Sequence, residues 1–140
     1  MTRSKQVTQG HCQCRHLEYE FEGAPKWVMH CHCESCRRQT ASPFTTYAGY
    51  VRERVSFDGA TLSRYRSSPG VTRSFCPHCG TPLAFEGARW PGEIHLFLAI
   101  FDTPNALTPR AHVNTIEQLD WIHLADGLPR LPRIGQSATP

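Results

Sequence analysis

The sequence predicts a mostly β domain, and three observations carry that expectation. Short segments that alternate apolar and polar residues, or gather aromatic and β-favouring ones, recur at regular intervals along the 140 residues. No stretch shows the periodicity of a helix of three turns. All seven cysteines fall into three clusters, Cys12/Cys14, Cys31/Cys33/Cys36 and Cys76/Cys79, with no lone thiol left over. Sulfur clusters of that kind suit a small fold stapled by metal.

Residues 16–22 alternate without a break and read as a half-buried strand, which puts Cys12 and Cys14 in the turn before it. Gly23, Ala24 and Pro25 end it. Trp27, Val28 and Met29 form a short apolar run that delivers the chain to Cys31. Residues 34–39 suit one helical turn, which Pro43 keeps from extending. Residues 44–50 read as a strand. Residues 54–57 alternate again and run into Asp58-Gly59, a hairpin-type turn, with a return strand over 61–66. A turn at 67–70 precedes a strand over 72–75 that enters Cys76, and Leu83-Ala84-Phe85 is a shorter one. Residues 93–101 make the longest strand candidate, apolar on both faces and therefore covered on both sides. Residues 111–114 are extended. After Trp121, read as a clamp over the core, the chain looks irregular.

The length fits one domain. No run approaches the ~18 apolar residues of a membrane span. The charged Met1-to-Gln6 segment has no apolar stretch behind it, so a cytoplasmic location is expected. In that reducing compartment clustered cysteines bind metal or do chemistry more often than they pair, and an odd number would strand one. The formal charge of +3 invites a nucleic-acid reading. Ligating thiolates and two zinc ions would cancel it, and no basic stripe interleaved with aromatics appears, so neither nucleic acid nor membrane is expected as a partner.

Cys76-Pro77-His78-Cys79-Gly80 is the most specific local signal. Two cysteines two residues apart can face one ion, and the following glycine permits the positive φ that closes the turn. A structural zinc wants four ligands, and the second pair is either Cys12 and Cys14 or part of the middle cluster. Cys12 and Cys14 are favoured because they leave the trio intact. Cys31, Cys33 and Cys36 then present three sulfurs and a free fourth position, the pattern of a zinc that accepts substrate. The competing reading closes this corner with His30, His32 or His78, of which His30 is best placed. Three thiolates on zinc make a net anion, better suited to a soft thiolate than to activating water. Arg37 and Arg38 follow directly and could receive a substrate carboxylate or simply balance charge.

At this point the chain resembles a known family. Cys12-Gln13-Cys14, Cys31-His32-Cys33-Glu34-Ser35-Cys36-Arg37-Arg38, Tyr65-Arg66-Ser67-Ser68 and Arg73-Ser74-Phe75-Cys76-Pro77-His78-Cys79-Gly80 are similar, in order, to the glutathione-dependent formaldehyde-activating enzyme (GFA) family. Phe101-Asp102-Thr103-Pro104, Pro109 with His112, and Asp126-Gly127-Leu128-Pro129 extend the likeness. The resemblance implies an Mss4-like fold of small coiled antiparallel sheets stapled by zinc–thiolate sites. It implies two zinc ions: a structural one held by Cys12, Cys14, Cys76 and Cys79, and a catalytic one held by Cys31, Cys33 and Cys36. Occupancy of the second is left open. The implied activity is that of a zinc-dependent carbon–sulfur lyase joining glutathione, a small thiol, to formaldehyde as S-(hydroxymethyl)glutathione. Two positions depart from the family's usual glycines, Arg15 after the second cysteine and Ala41 after the arginine pair. The implied organisation is an N-terminal extension over 1–9, one zinc domain over 10–130 and a flexible tail over 131–140.

The rival function is a non-catalytic, zinc-stabilised module that binds a protein partner, and a metal or redox sensor is a third. His112 reads as a hydrogen-bonded structural histidine rather than a ligand, Trp90 as part of a packed loop, and Asp102 as a turn residue.

Overall fold

The computed structural model describes residues 6–57 and 61–134. Ten strands are connected by turns: β1 (Val7–His11), β2 (Glu18–Glu22), β3 (Trp27–Cys31), β4 (Thr45–Val51), β5 (Ser63–Ser68), β6 (Val71–Phe75), β7 (Pro82–Gly87), β8 (Glu93–Phe97), β9 (His112–Val113) and β10 (Arg130–Leu131). One α-helix, α1 (Glu34–Thr40), and four 3₁₀ turns complete the described chain. The mostly β expectation holds.

The chain forms two compact units. The first runs up to Lys26 and resumes over Ala48–Ala106; the second holds Trp27–Tyr47 and the chain from Leu107 on. In the first, β1 and β2 form an antiparallel hairpin with Gly10 opposite Tyr19, and strands β4, β8, β7, β6 and β5 follow one another in a sheet. Gly10 is required by close approach. A Cβ there would lie 2.2 Å from the Tyr19 hydroxyl and 2.3 Å from its ring. The alternation of β2 puts Tyr19 and Phe21 inward, where Tyr19 meets Phe57 edge-on at 5.1 Å and Phe21 meets Tyr50 at 4.7 Å. A separate small core gathers Cys12, Leu17, Cys76 and Leu83, with Leu62 and Ile100 packed against it. Each buried aliphatic side chain of this kind contributes about 1.5–3 kcal/mol.

In the second unit the strand order is β10-β9-β3-β4. Here β9 pairs in parallel with both neighbours: His30 lies opposite His112 and Cys31 opposite Val113 on one side, and Arg130 lies opposite His112 on the other. These parallel pairs make the sheet mixed.

Several boundaries differ from the sequence reading. The strand expected over 93–101 stops at Phe97, because Leu98–Ile100 turn into a 3₁₀ helix closed by Phe101 N–H to the Leu98 carbonyl at 3.1 Å. Its burial is as expected: Ile94, His95, Leu96, Phe97 and Leu98 are all buried. The strand expected over 54–57 is not formed: Arg52–Arg54 make a 3₁₀ turn and residues 55–57 are irregular. The Val55 amide bonds back to the Arg52 carbonyl, and the Arg52 guanidinium reaches the Val55 carbonyl, so these groups are unavailable to a ladder. The Asp58-Gly59 turn lies outside the described residues. Ser67 and Ser68 belong to β5, not to the turn, which is confined to Pro69-Gly70. Trp121 is 65% exposed and is not the clamp over the core that the sequence suggested. Trp90 does pack, edge-on against Phe85 and His95 at 5.7 and 5.3 Å.

Candidate metal centres

Each unit contains one cluster of sulfurs. In the first, the chain before β2 and the turn between β6 and β7 bring Cys12, Cys14, Cys76 and Cys79 together, with all four ligand atoms within 4.8 Å of one another. The Sγ atoms of Cys12 and Cys14 are 3.6 Å apart, and those of Cys14 and Cys76 are 3.8 Å apart. Sulfurs at about 2.3 Å from a tetrahedral ion sit about 3.8 Å from each other, so this spacing suits zinc. None of the seven cysteines is in a disulfide.

Local backbone explains how the sulfurs turn inward. The Arg15 amide bonds to the Cys12 carbonyl at 3.1 Å, and the Gly80 amide to the Cys76 carbonyl at 2.9 Å, closing a four-residue and a five-residue turn. Arg15 (φ 63°) and Gly80 (φ 79°) both take the left-handed conformation this closure needs. Amides face the sulfurs: Leu17 N–H points at Cys12 and His78 N–H at Cys76, at 3.3 and 3.4 Å. The one-residue spacer of Cys12-Gln13-Cys14 thus does the work of the longer spacer in Cys76-Pro77-His78-Cys79. Cys12 and Cys76 are fully buried while Cys14 and Cys79 are exposed. The outer pair divides electrically. Hydrogen bonds from the Thr81 hydroxyl and amide hold Cys79 down to about 5. The His16 backbone works to lower Cys14, but desolvation and the three neighbouring thiols outweigh it and push Cys14 up to about 12. His78 stacks on His16 with ring centroids 3.6 Å apart.

The second cluster joins the end of β3 to α1. Cys31, Cys33 and Cys36 also have ligand atoms within 4.8 Å of one another, and among the described residues no histidine, carboxylate or further cysteine joins this set. Cys33 is the N-cap of α1, its sulfur accepting the Cys36 amide at 3.4 Å, a role oxygen usually fills. The helix ends at Ala41, again left-handed (φ 57°). So both positions where the resembled family usually carries glycine adopt the backbone conformation that glycine enters without strain. Two more donors reach the sulfurs, Tyr47 Oη to Cys36 at 3.3 Å and Asn114 Nδ2 to Cys31 at 3.5 Å.

Crowding makes these thiols resist ionising side by side. Hydrogen bonding with Cys33 and Cys36, then burial, drives Cys31 far up. Cys31 pulls Cys33 down, but Cys36 and burial prevail and leave it at about 11. A dication among the three sulfurs would relieve that repulsion, which is what a metal-binding set requires.

The histidines serve another purpose. His30 Nδ1 bonds to the Thr46 hydroxyl at 2.7 Å, and its ring stacks on His112 with centroids 4.8 Å apart. Asp126 accepts from His112 Nε2 at 2.7 Å, and His112 Nδ1 shares a hydrogen bond with His32 Nε2, 2.9 Å away. His32 and His112 are fully buried. Burial first, then His112, lowers His32 to about 4, and burial likewise lowers His30. The Leu128 amide and then His112 hold Asp126 low, so the carboxylate end of the chain stays charged. His30, His112 and Asp126 also lie close enough to count as a ligand group, but His112 already uses both ring nitrogens in hydrogen bonds. His112 is thus the hydrogen-bonded histidine expected. The Asp126–His112–His32 chain itself was not foreseen, and its one sequence signal was the turn-forming Asp126-Gly127. Tyr47 and Asn114 were missed as sulfur donors, since nothing local distinguishes them.

Arg37 and Arg38 lie on α1. Arg38 pairs with Glu34 at 3.0 Å, and Arg37 Nη2 reaches the Glu117 carbonyl at 3.5 Å. Asp102, on the turn expected, faces His11 at 3.5 Å.

Comparison with known proteins accords with this geometry. A Schizosaccharomyces pombe protein described as an uncharacterized lyase is 38% identical over 79 residues, covering 55% of this chain and 56% of that protein. The chain therefore aligns with just over half of that relative's length. A crystal structure of a Rhodobacter sphaeroides protein superposes with a TM-score of 0.57 at 22% identity, covering 73% of this chain and 92% of that one, a likeness of fold. The profile of the glutathione-dependent formaldehyde-activating enzymes matches residues 7–117, a span that takes in both sulfur clusters. The chain belongs to the glutathione-dependent formaldehyde-activating enzyme family.

Proposed function

We propose that the protein is a zinc-dependent carbon–sulfur lyase-type enzyme acting on a thiol–aldehyde adduct, such as the one glutathione forms with formaldehyde, S-(hydroxymethyl)glutathione. The observation that carries this reading is the difference between the two clusters. Four cysteines complete one set, while three make up the other and no His, Cys, Asp or Glu among the described residues supplies a fourth. Zinc bound by Cys31, Cys33 and Cys36 would supply one thing, the deprotonation of an incoming thiol to a thiolate. In the joining direction that sulfur bonds to the aldehyde carbon, the carbonyl π pair moves to oxygen, and oxygen takes a proton. Cleavage reverses each change.

The neighbouring residues fit an acidic thiol. Arg38 and Glu34 are mostly exposed, at 77% and 53%, so their ion pair is worth little and a substrate carboxylate can compete for the guanidinium. The grouping of all seven cysteines into ligand clusters, with no disulfide among them, also favours a reducing compartment such as the cytoplasm.

Two variants test the reading. Cys33→Ser is expected to lower zinc content from two ions per chain to one and to abolish glutathione binding. Unchanged stoichiometry together with unchanged affinity would refute it. Arg38→Ala should keep both ions and weaken glutathione about three- to tenfold, the worth of one charge-assisted hydrogen bond at an exposed site. Full affinity in that variant would remove Arg38 from the site.

A further inference from the structure

We propose that Tyr47 and Asn114 are positioning residues of the three-sulfur cluster, side-chain donors that set how much charge Cys36 and Cys31 give to an ion they hold. The proposal deepens the reading above and rests on it for the identity of the cluster as a ligand set.

Besides their contacts with one another, the three sulfurs of the trio take hydrogen bonds from nitrogen and oxygen donors of different origin. Cys33 takes the Cys36 amide, a bond that any chain forming the cap of α1 would make. The other two are not dictated by local backbone. Tyr47 reaches Cys36 from β4, 11 residues further along the chain, and Asn114 reaches Cys31 across a separation of 83 residues.

Both donors are held in place. Tyr47 is only 4% exposed, and a hydroxyl at that depth needs an acceptor. Asn114 follows β9, whose Val113 lies opposite Cys31, and it sits at φ 57°, a conformation asparagine tolerates better than most residues. Its Oδ1 accepts the Ile134 amide at 3.3 Å, which orients the side-chain amide so that Nδ2 faces the sulfur. In the four-sulfur cluster Cys12 and Cys76 receive backbone amides, and Cys79 lies 3.1 Å from the Thr81 hydroxyl two residues along the chain. The trio's side-chain donors come instead from β4 and from beyond β9.

A donor to a thiolate draws negative charge away from its lone pairs and weakens what the sulfur gives a metal. Three thiolates exceed the charge of a dication by one. Draining part of that excess through Tyr47 and Asn114 leaves the bound ion more attractive to a fourth, incoming thiolate.

Cobalt(II), which occupies tetrahedral sulfur sites and absorbs through them, gives the readout on the full chain. Tyr47→Phe removes one oxygen, and Asn114→Gly removes the amide while keeping the left-handed backbone accessible. In each, the sulfur-to-cobalt charge-transfer band of the trio should move to lower energy. Affinity for 2-mercaptoethanol, titrated through the visible cobalt bands, should fall about three- to tenfold, the worth of one hydrogen bond. The spectrum of the four-sulfur site, recorded alone in Cys33→Ser, is the reference subtracted from each trace and should persist in both variants. If Tyr47→Phe does not fold, Asn114→Gly carries the test. Unmoved bands with unmoved thiol affinity overturn the proposal. Should the wild-type trio bind cobalt but no thiol, the functional reading falls, and a shifted band still upholds the donor roles.

Discussion

Single residues decide how tightly the sulfur turns close. Arg15 and Ala41 occupy left-handed backbone, at φ 63° and 57°, where a Cβ crowds the neighbouring carbonyl. The strain at each is about 1–2 kcal/mol, and glycine would remove it at an entropic cost of about 0.5–1 kcal/mol. Ala41→Gly should therefore stabilise the protein by about 0.5–1 kcal/mol, and chemical denaturation would show a higher midpoint with an unchanged slope. A lower midpoint would mean that the methyl group packs usefully beyond the helix end. Asn114 shows the same backbone at φ 57° with a residue type suited to it, and there the side chain does a second job at Cys31.

At the scale of elements, β8 shows how polar groups are accommodated in a strand covered on both faces. Glu93 accepts from Lys26 at 2.7 Å and from His95 at 3.0 Å, and His95 is itself stacked on Phe85. Burial acts to raise the Glu93 carboxyl, yet the Lys26 and His95 hydrogen bonds and charges outweigh it and hold the group below its ordinary value. A carboxyl lowered in the folded state stabilises the protein above the unfolded value of about 4.3, and that contribution disappears as pH falls through the folded value. Lys26 is half exposed, so screening keeps the effect small. Glu93→Gln should cost about 0.5–1 kcal/mol at pH 7, with the gap to wild type closing below about pH 4. Unfolding curves of both proteins at the two pH values would reveal it, and a gap independent of pH would assign the loss to packing instead.

The same strand shows where sequence was a good guide and where it was not. Alternation revealed β2, and aromatic content revealed β4, because those signals come from burial on a pleated surface and are local. Alternation also ran straight through residues 98–101, where the backbone leaves the sheet so that Phe101 can bridge to Gly10. A periodic side-chain pattern cannot report that switch. The extended reading of residues 111–114 covers β9, but its parallel pairing and the two-residue β10 depend on distant partners, so no local pattern could announce them. The candidate ligands were legible for the opposite reason. Cysteine spacing is a local constraint on where sulfurs can point, and the grouping of Cys12/Cys14 with Cys76/Cys79 followed from counting. Tyr47, Asn114 and the Asp126–His112–His32 chain depend on which distant strands meet, and ordinary residues carry them.

Across the whole molecule, the two sulfur clusters, with zinc bound as proposed, would replace what a larger core would supply. Zinc in small sulfur-ligated domains contributes roughly 10–16 kcal/mol at neutral pH, as much as the entire net stability of an ordinary domain. Stripping the metal with a strong chelator should lower the thermal midpoint by at least about 10 °C, and restoring zinc should bring it back. A midpoint indifferent to chelation would mean that the small core around Leu17 and Leu83 stands on its own.

The spacing of the two clusters along the chain also fixes an order of events during synthesis. Cys31, Cys33 and Cys36 emerge from the ribosome almost together, whereas Cys12 and Cys14 must wait for partners 62 residues and more behind them. For that interval Cys12 and Cys14 travel with a trio whose three sulfurs are already all present. With both clusters holding zinc as proposed, the nascent polypeptide would meet its first ion at the local trio, and the long ring around the other would close last.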